Sequence, residues 1–194
     1  MKKMTSLIAA ATAAALLLTG CTVVKIGEEG KYTGETEFSA DAQSSSDWSK
    51  VVEEIKSNAA EAAGTLSSDF GKAAAVTGEA DVAEYNTSSP KHYLVLTMDG
   101  YTGDKEVRLQ IEGPNTSTAL RDLQTVREFK DFTNQTEWSE YAKSLNNQAV
   151  TNICDPLDLD NNDPAGKKVT FTGGASLSAA KVAIIIVPVE LTIE

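Results

Sequence analysis

The chain has 194 residues, enough for one domain with a small appendage, and sets 17 Lys+Arg against 28 Asp+Glu for a formal net charge of −11. That acidic balance argues against a nucleic-acid binder, whose electrostatic footprint is basic. Two Cys and a single His exclude a disulfide scaffold, a Cys-built zinc site and any centre that needs two imidazoles.

The N-terminus reads as an export signal. Lys2 and Lys3 precede an apolar run from Leu7 to Leu18, too short for a span, which takes about 20 residues. The run ends in Leu18-Thr19-Gly20-Cys21, matching the lipobox of bacterial lipoproteins. Residues 1–20 are then a lipoprotein signal peptide, and Cys21 is the lipidation site and new N-terminus. Its acyl chains together are the expected membrane anchor. Thr22, rather than Asp, follows the Cys. The predicted location is extracytoplasmic, on the periplasmic or outer-surface side of a bacterial membrane. Loss of Lys2 and Lys3 makes the mature chain more acidic still, so it is repelled from anionic lipid and expected to stand off on a tether.

Residues 21–46 have the composition of that tether, with a short strand predicted at Tyr32–Phe38. Residues 47–194 form the single predicted domain. Asp47 is placed as an N-cap, with Trp48, Val51, Val52 and Ile55 at helical spacing. A further helical piece runs through Asn58–Ala63 to Leu66 and Phe70, and Gly71 stops it. Strands follow at Val76–Val82, His92–Met98 and Glu106–Glu112, the last alternating cleanly with Val107, Leu109 and Ile111 inward. Helix returns with Leu120, Leu123 and Phe129. Asn134 and Glu137 resemble a capping box before a stripe of Trp138, Tyr141, Ala142, Leu145 and Ala149. After the Asp/Asn-rich loop 155–166 come strands at Lys168–Gly173 and Ala183–Ile193, where Pro188 demands an edge or a bulge.

Five strands with helix between the third and fourth is the chain order of an OB-fold barrel. The fold class is therefore α+β: an OB-fold-like five-stranded β-barrel with a helical insert between strands 3 and 4, preceded by an N-terminal helical segment. A β-sandwich would need about seven strands.

Cys21-Thr22-Val23-Val24-Lys25-Ile26, Gly113-Pro114 with Thr118-Ala119-Leu120-Arg121-Asp122, Phe129-x-x-Phe132-Thr133-Asn134-Gln135 and Leu145-Asn146 resemble the predicted periplasmic lipoprotein family called domain of unknown function 2291. The resemblance covers most of the mature chain. It implies an extracytoplasmic lipoprotein with an OB-like domain. Family members are often encoded beside sugar ABC transporters, which implies an accessory role in uptake. Ser117 stands where the family tends to have Gly, and Asn115-Thr116 where it carries apolar and basic residues.

Arg121, Asp122, Asn134 and Gln135 are the candidate ligand-binding residues. Arg offers a planar donor fork for a carboxylate or phosphate, and the amides suit sugar hydroxyls. A purely structural use of the same four, as ion pair and helix cap, competes with that reading. In OB barrels the second and third strands and the loops joining strands one–two and four–five carry ligands. Here these loops are Asn86–Lys91 and Gly174–Lys181, which lack stacking aromatics and suit a small polar ligand or protein partner better than bases. His92 has no nucleophile motif beside it and reads as an edge-strand residue. Asp158–Asp163 departs from a calcium loop at the Gly and Glu positions and reads as a solvated turn. No catalytic residue, metal site or cofactor is predicted. The expected function is a non-enzymatic binding or accessory module with the membrane as partner through Cys21, and ABC transporter components or a small polar ligand as further partners. The alternatives are a structural envelope lipoprotein or, less favoured, a hydrolase.

Overall fold

The computed structural model describes residues 38–194. Cys21 and nearly all of the strand predicted at Tyr32–Phe38 lie outside them. Helix α1 (Ala40–Asn58) starts at Ser39, whose hydroxyl accepts from the Ala42 N–H. It therefore begins well ahead of Asp47, the expected cap, and takes in residues 40–46, which read as tether. The polar composition of that stretch misleads because its polar groups are used inside. Ser44 is fully buried and shares a 2.8 Å hydrogen bond with Ser144, which also donates to Asp41. Asp47 is buried too, accepting from Arg127 Nε at 2.8 Å and from the Tyr141 hydroxyl at 3.2 Å.

The helix predicted through Asn58–Ala63 is interrupted. A two-residue strand, β1 (Ala60–Glu61), intervenes before the short helix α2 (Ala62–Leu66). The break is stabilised locally, since the Glu61 carboxylate accepts from the Ala63 and Gly64 N–H groups at 2.8 and 2.7 Å. That satisfies donors that a new helix start leaves open.

The barrel strands are β2 (Ala74–Asn86), β3 (His92–Thr97), β4 (Glu106–Glu112), β5 (Lys168–Leu177) and β6 (Ala183–Ile193). They pair in the order β2-β3-β4-β6-β5, and β5 closes onto β2. All pairs are antiparallel except β4 with β6. Between β4 and β5 lie α3 (Ala119–Leu123), a 3-10 turn (Phe129–Asp131) and α4 (Gln135–Ala149), which widens into a π turn over Val150–Cys154. This is the OB-like barrel and helical insert that the strand order implies. β3 pairs with β2 on one side and β4 on the other, so His92 is not on the edge strand expected from the sequence. Pro188 is accommodated by a bulge, where β6 gains a residue against Thr172 and Gly173 of β5.

Inward residues of the five strands fill the barrel, with Val76, Leu94, Leu109, Phe171 and Ile186 fully buried. Leu66 of α2, and Cys154 and Leu159 after α4, join the same core. The helices bury a second apolar layer over the outside of β5 and β6, in which Val51, Ile55, Leu120, Tyr141 and Leu145 are fully buried beside Val187. Each such side chain contributes about 1.5–3 kcal/mol by leaving water. Gly174 sets how closely the insert sits. A Cβ there would lie 3.1–3.2 Å from Leu120, Ala119 and Leu123, so α3 rests almost on the β5 backbone.

Candidate functional site

The alternation that sends Leu94, Val107, Leu109 and Ile186 into the barrel turns Tyr93, Arg108, Gln110 and Ile185 outward. The outer face of β3, β4 and β6 forms the floor of a cavity of about 590 Å³. That size falls in the range of small-ligand sites. Its walls come from three connections. Lys91 ends the β2–β3 loop, Ser176 to Lys181 span the end of β5 and the following turn, and Pro114 to Thr118 lead into α3. Lys72, just before β2, closes the rim. Of the two loops expected from the sequence, Asn86–Lys91 contributes Lys91 alone, and Gly174–Lys181 is loop only beyond Leu177, because β5 runs to that residue.

The floor is held in place by its own contacts. The Arg108 guanidinium lies over the Tyr93 ring, 4.5 Å from the centroid, and pairs with Glu106. Gln110 is buried, its amide donating to the backbone carbonyl of Glu112. On the wall, Ser117 and Ser176 hydroxyls meet at 2.8 Å, and Asn146 Nδ2 donates to the Ser117 carbonyl at 2.9 Å, so α4 pins this loop. The Asn115 amide nitrogen is shielded from solvent without a hydrogen-bond partner. Lys181 holds a left-handed backbone, φ +57°, stabilised by a 2.7 Å bond from its N–H to the Ser178 carbonyl.

The four candidate residues divide into two places. Arg121 is largely buried, its guanidinium 4.7 Å from the Trp138 ring centroid and donating to Asp122 at 2.7 and 2.9 Å. Asp122 also accepts from Thr118 and borders the cavity just described. A shallower cavity of about 560 Å³ adjoins it, lined by Arg121, Trp138 and the half-exposed Phe129. Asn134 and Gln135 line neither cavity. Asn134 caps α4, accepting from the Glu137 N–H at 3.0 Å, and Gln135 is exposed in its first turn. The Glu137 carboxylate accepts from the Thr133 N–H, one residue short of the reciprocal box contact. Arg121→Ala removes a stacked, paired cation, and unfolding in urea is expected to show a loss of about 1–2 kcal/mol.

Sequence reasoning missed Tyr93, Arg108, Lys72 and Lys181. The available signal was the period of two: with Leu109 and Ile111 inward, Arg108 and Gln110 had to share the opposite face as one polar patch.

Elsewhere the reactive groups are restrained. Burial pushes the Cys154 thiol up to about 12, with Asp155 adding to it. In the acidic loop Asn161 donates to the Asp158 carboxylate, Tyr85 donates to Asp160, and Ala165 N–H to Asp163. Among the described residues no group of three His, Cys, Asp or Glu is placed to hold a metal ion.

Barrel and insert together define the class of the fold. The solved structure of an OB-fold protein from Thermotoga maritima superposes with a TM-score of 0.61 at 13% identity, covering 82% of this chain and 100% of that one. A search of curated proteins finds no significant match. The model of the family described as predicted periplasmic lipoprotein (DUF2291) matches residues 11–192, and the chain belongs to that family. It is accordingly an extracytoplasmic protein held at the membrane.

Proposed function

We propose that this protein is a non-enzymatic binding module, anchored through lipid on Cys21, that takes a small polar ligand on the β3–β4–β6 face of its barrel. The observation that carries the reading is the 590 Å³ cavity, on which the β2–β3 and β5–β6 connections converge with polar groups. OB barrels use this face and these loops for ligands. The association of the family with sugar uptake supports an accessory role beside an ABC transporter, in which the module receives or presents a solute at the membrane surface.

Two measurements on the full chain test this. Cys21→Ala should stop incorporation of labelled palmitate and move the protein from the membrane to the soluble fraction. Calorimetric titration of the detergent-solubilised wild type with a panel of monosaccharides and their phosphates should show saturable binding that Tyr93→Ala weakens at least tenfold. An anchored protein that binds no solute and co-purifies with no transporter component would instead be a structural envelope lipoprotein.

A further inference from the structure

We infer that the solute taken by this face is an anion, a small molecule bearing a phosphate or carboxylate group; the inference rests on the reading of the cavity as a ligand site. In a chain of net charge −11, Lys72, Lys91, Arg108 and Lys181 all border one cavity, against a single acid, Asp122. The local pairs make the imbalance sharper. Asp122 is engaged by Arg121, and Arg108 by Glu106. Lys72, Lys91 and Lys181 have no ion-pair partner among the described residues; Lys50, Lys143 and Lys167 have none either, so what sets the three apart is that they converge on one cavity. Three uncompensated ammonium groups thus ring a concave site on an otherwise acidic molecule, where a bound anion would gain from all three.

One further feature points the same way. Lys181 sits in a backbone conformation that disfavours a side chain, at φ +57°, where glycine would be the easier choice. Strain of that kind at a cavity lip fits a side chain kept for its ammonium group rather than for folding.

The phosphate or carboxylate could belong to a soluble solute or to a lipid headgroup. The observations favour a solute, because the site is concave and the molecule's net charge repels it from an anionic bilayer.

The decisive variant is Lys181→Gly, which removes the charge while relieving the backbone. Its melting temperature should be unchanged or higher. With the full chain in neutral detergent, titrations use glucose, glucose 6-phosphate and inorganic phosphate. Glucose 6-phosphate is expected to bind at least tenfold more tightly than glucose and to weaken as salt is raised. Lys181→Gly should weaken it at least threefold, and Lys72→Gln with Lys91→Gln further. Binding of glucose as tight as its phosphate, or an affinity indifferent to the three lysines, would overturn the anion inference while leaving the ligand site intact. Failure of all three probes would overturn both. Sedimentation of Cys21→Ala with phosphatidylglycerol vesicles, combined with no binding of soluble phosphates, would assign the site to lipid and overturn the solute.

Discussion

Gly113→Ala is expected to be among the most damaging small substitutions in the barrel, costing about 3 kcal/mol or more of stability, the sum of a left-handed backbone penalty and a steric clash. Gly113 directly follows β4 at φ +84°, and a Cβ built there would lie 1.7 Å from the Pro90 carbonyl oxygen. Neither side gives way easily, since Pro90 has a fixed φ and the β4 end is paired to β3, Glu112 opposite His92. Gly166 is the natural control. It has a similar φ of +79° with nothing within 4 Å of the added carbon, so Gly166→Ala should cost only about 1 kcal/mol. Urea unfolding of the two variants separates steric contact from backbone preference. Equal losses would show that the Pro90 approach contributes nothing. The consequence reaches the site as well, because Gly113 launches the loop of Asn115 and Ser117 while Pro90 adjoins Lys91.

Asp47→Ala should cost about 2 kcal/mol, because it leaves the buried Tyr141 hydroxyl and the part-exposed Arg127 guanidinium without their acceptor. Asp47 is 5% exposed, and it joins α1 to the insert by accepting from both Arg127 and Tyr141. Removing only the hydroxyl, with Tyr141→Phe, should cost about 1 kcal/mol. The double variant should lose less than the sum of the singles, since both act on one network. Burial, with the Asp47 charge adding to it, holds the Tyr141 hydroxyl well above its ordinary value of 10.0, while its hydrogen bond to Arg127's carboxylate partner keeps it protonated. The unfolded chain therefore loses this proton first as pH rises, so stability falls above about pH 10. Tyr141→Phe should flatten that alkaline decline, measured as the urea midpoint against pH.

How much was legible in the sequence follows from which interactions are local. Glu106–Glu112 alternates without ambiguity because Val107, Leu109 and Ile111 face the core while polar residues take the other face, and its extent is read directly from that pattern. The stripe on α4 is equally plain, and Tyr141, Ala142, Leu145 and Ala149 are all buried. The start of α1 was not legible, because Ser44 and Asp47 are buried by partners about a hundred residues away, Ser144 and Tyr141. Polar composition there says linker, and only the tertiary pairing says helix. The candidate site divides on the same ground. Asn134 is recognisable as a cap from its neighbours alone, whereas the convergence of Lys72, Lys91, Arg108 and Lys181 depends on closing the barrel and exists nowhere in the linear order.

Barrel closure also bears on life at a membrane surface. A lipoprotein is confined to a plane, where copies meet far more often than in free solution. A sheet with an open flank offers unpaired amides and carbonyls on which a neighbouring molecule can build, the first step of self-templated aggregation. Here β5 returns to β2 and no barrel strand is left with an unpaired side for its whole length. Crowding of the copies therefore finds no open barrel edge among the described residues; only the two-residue β1 has a free side.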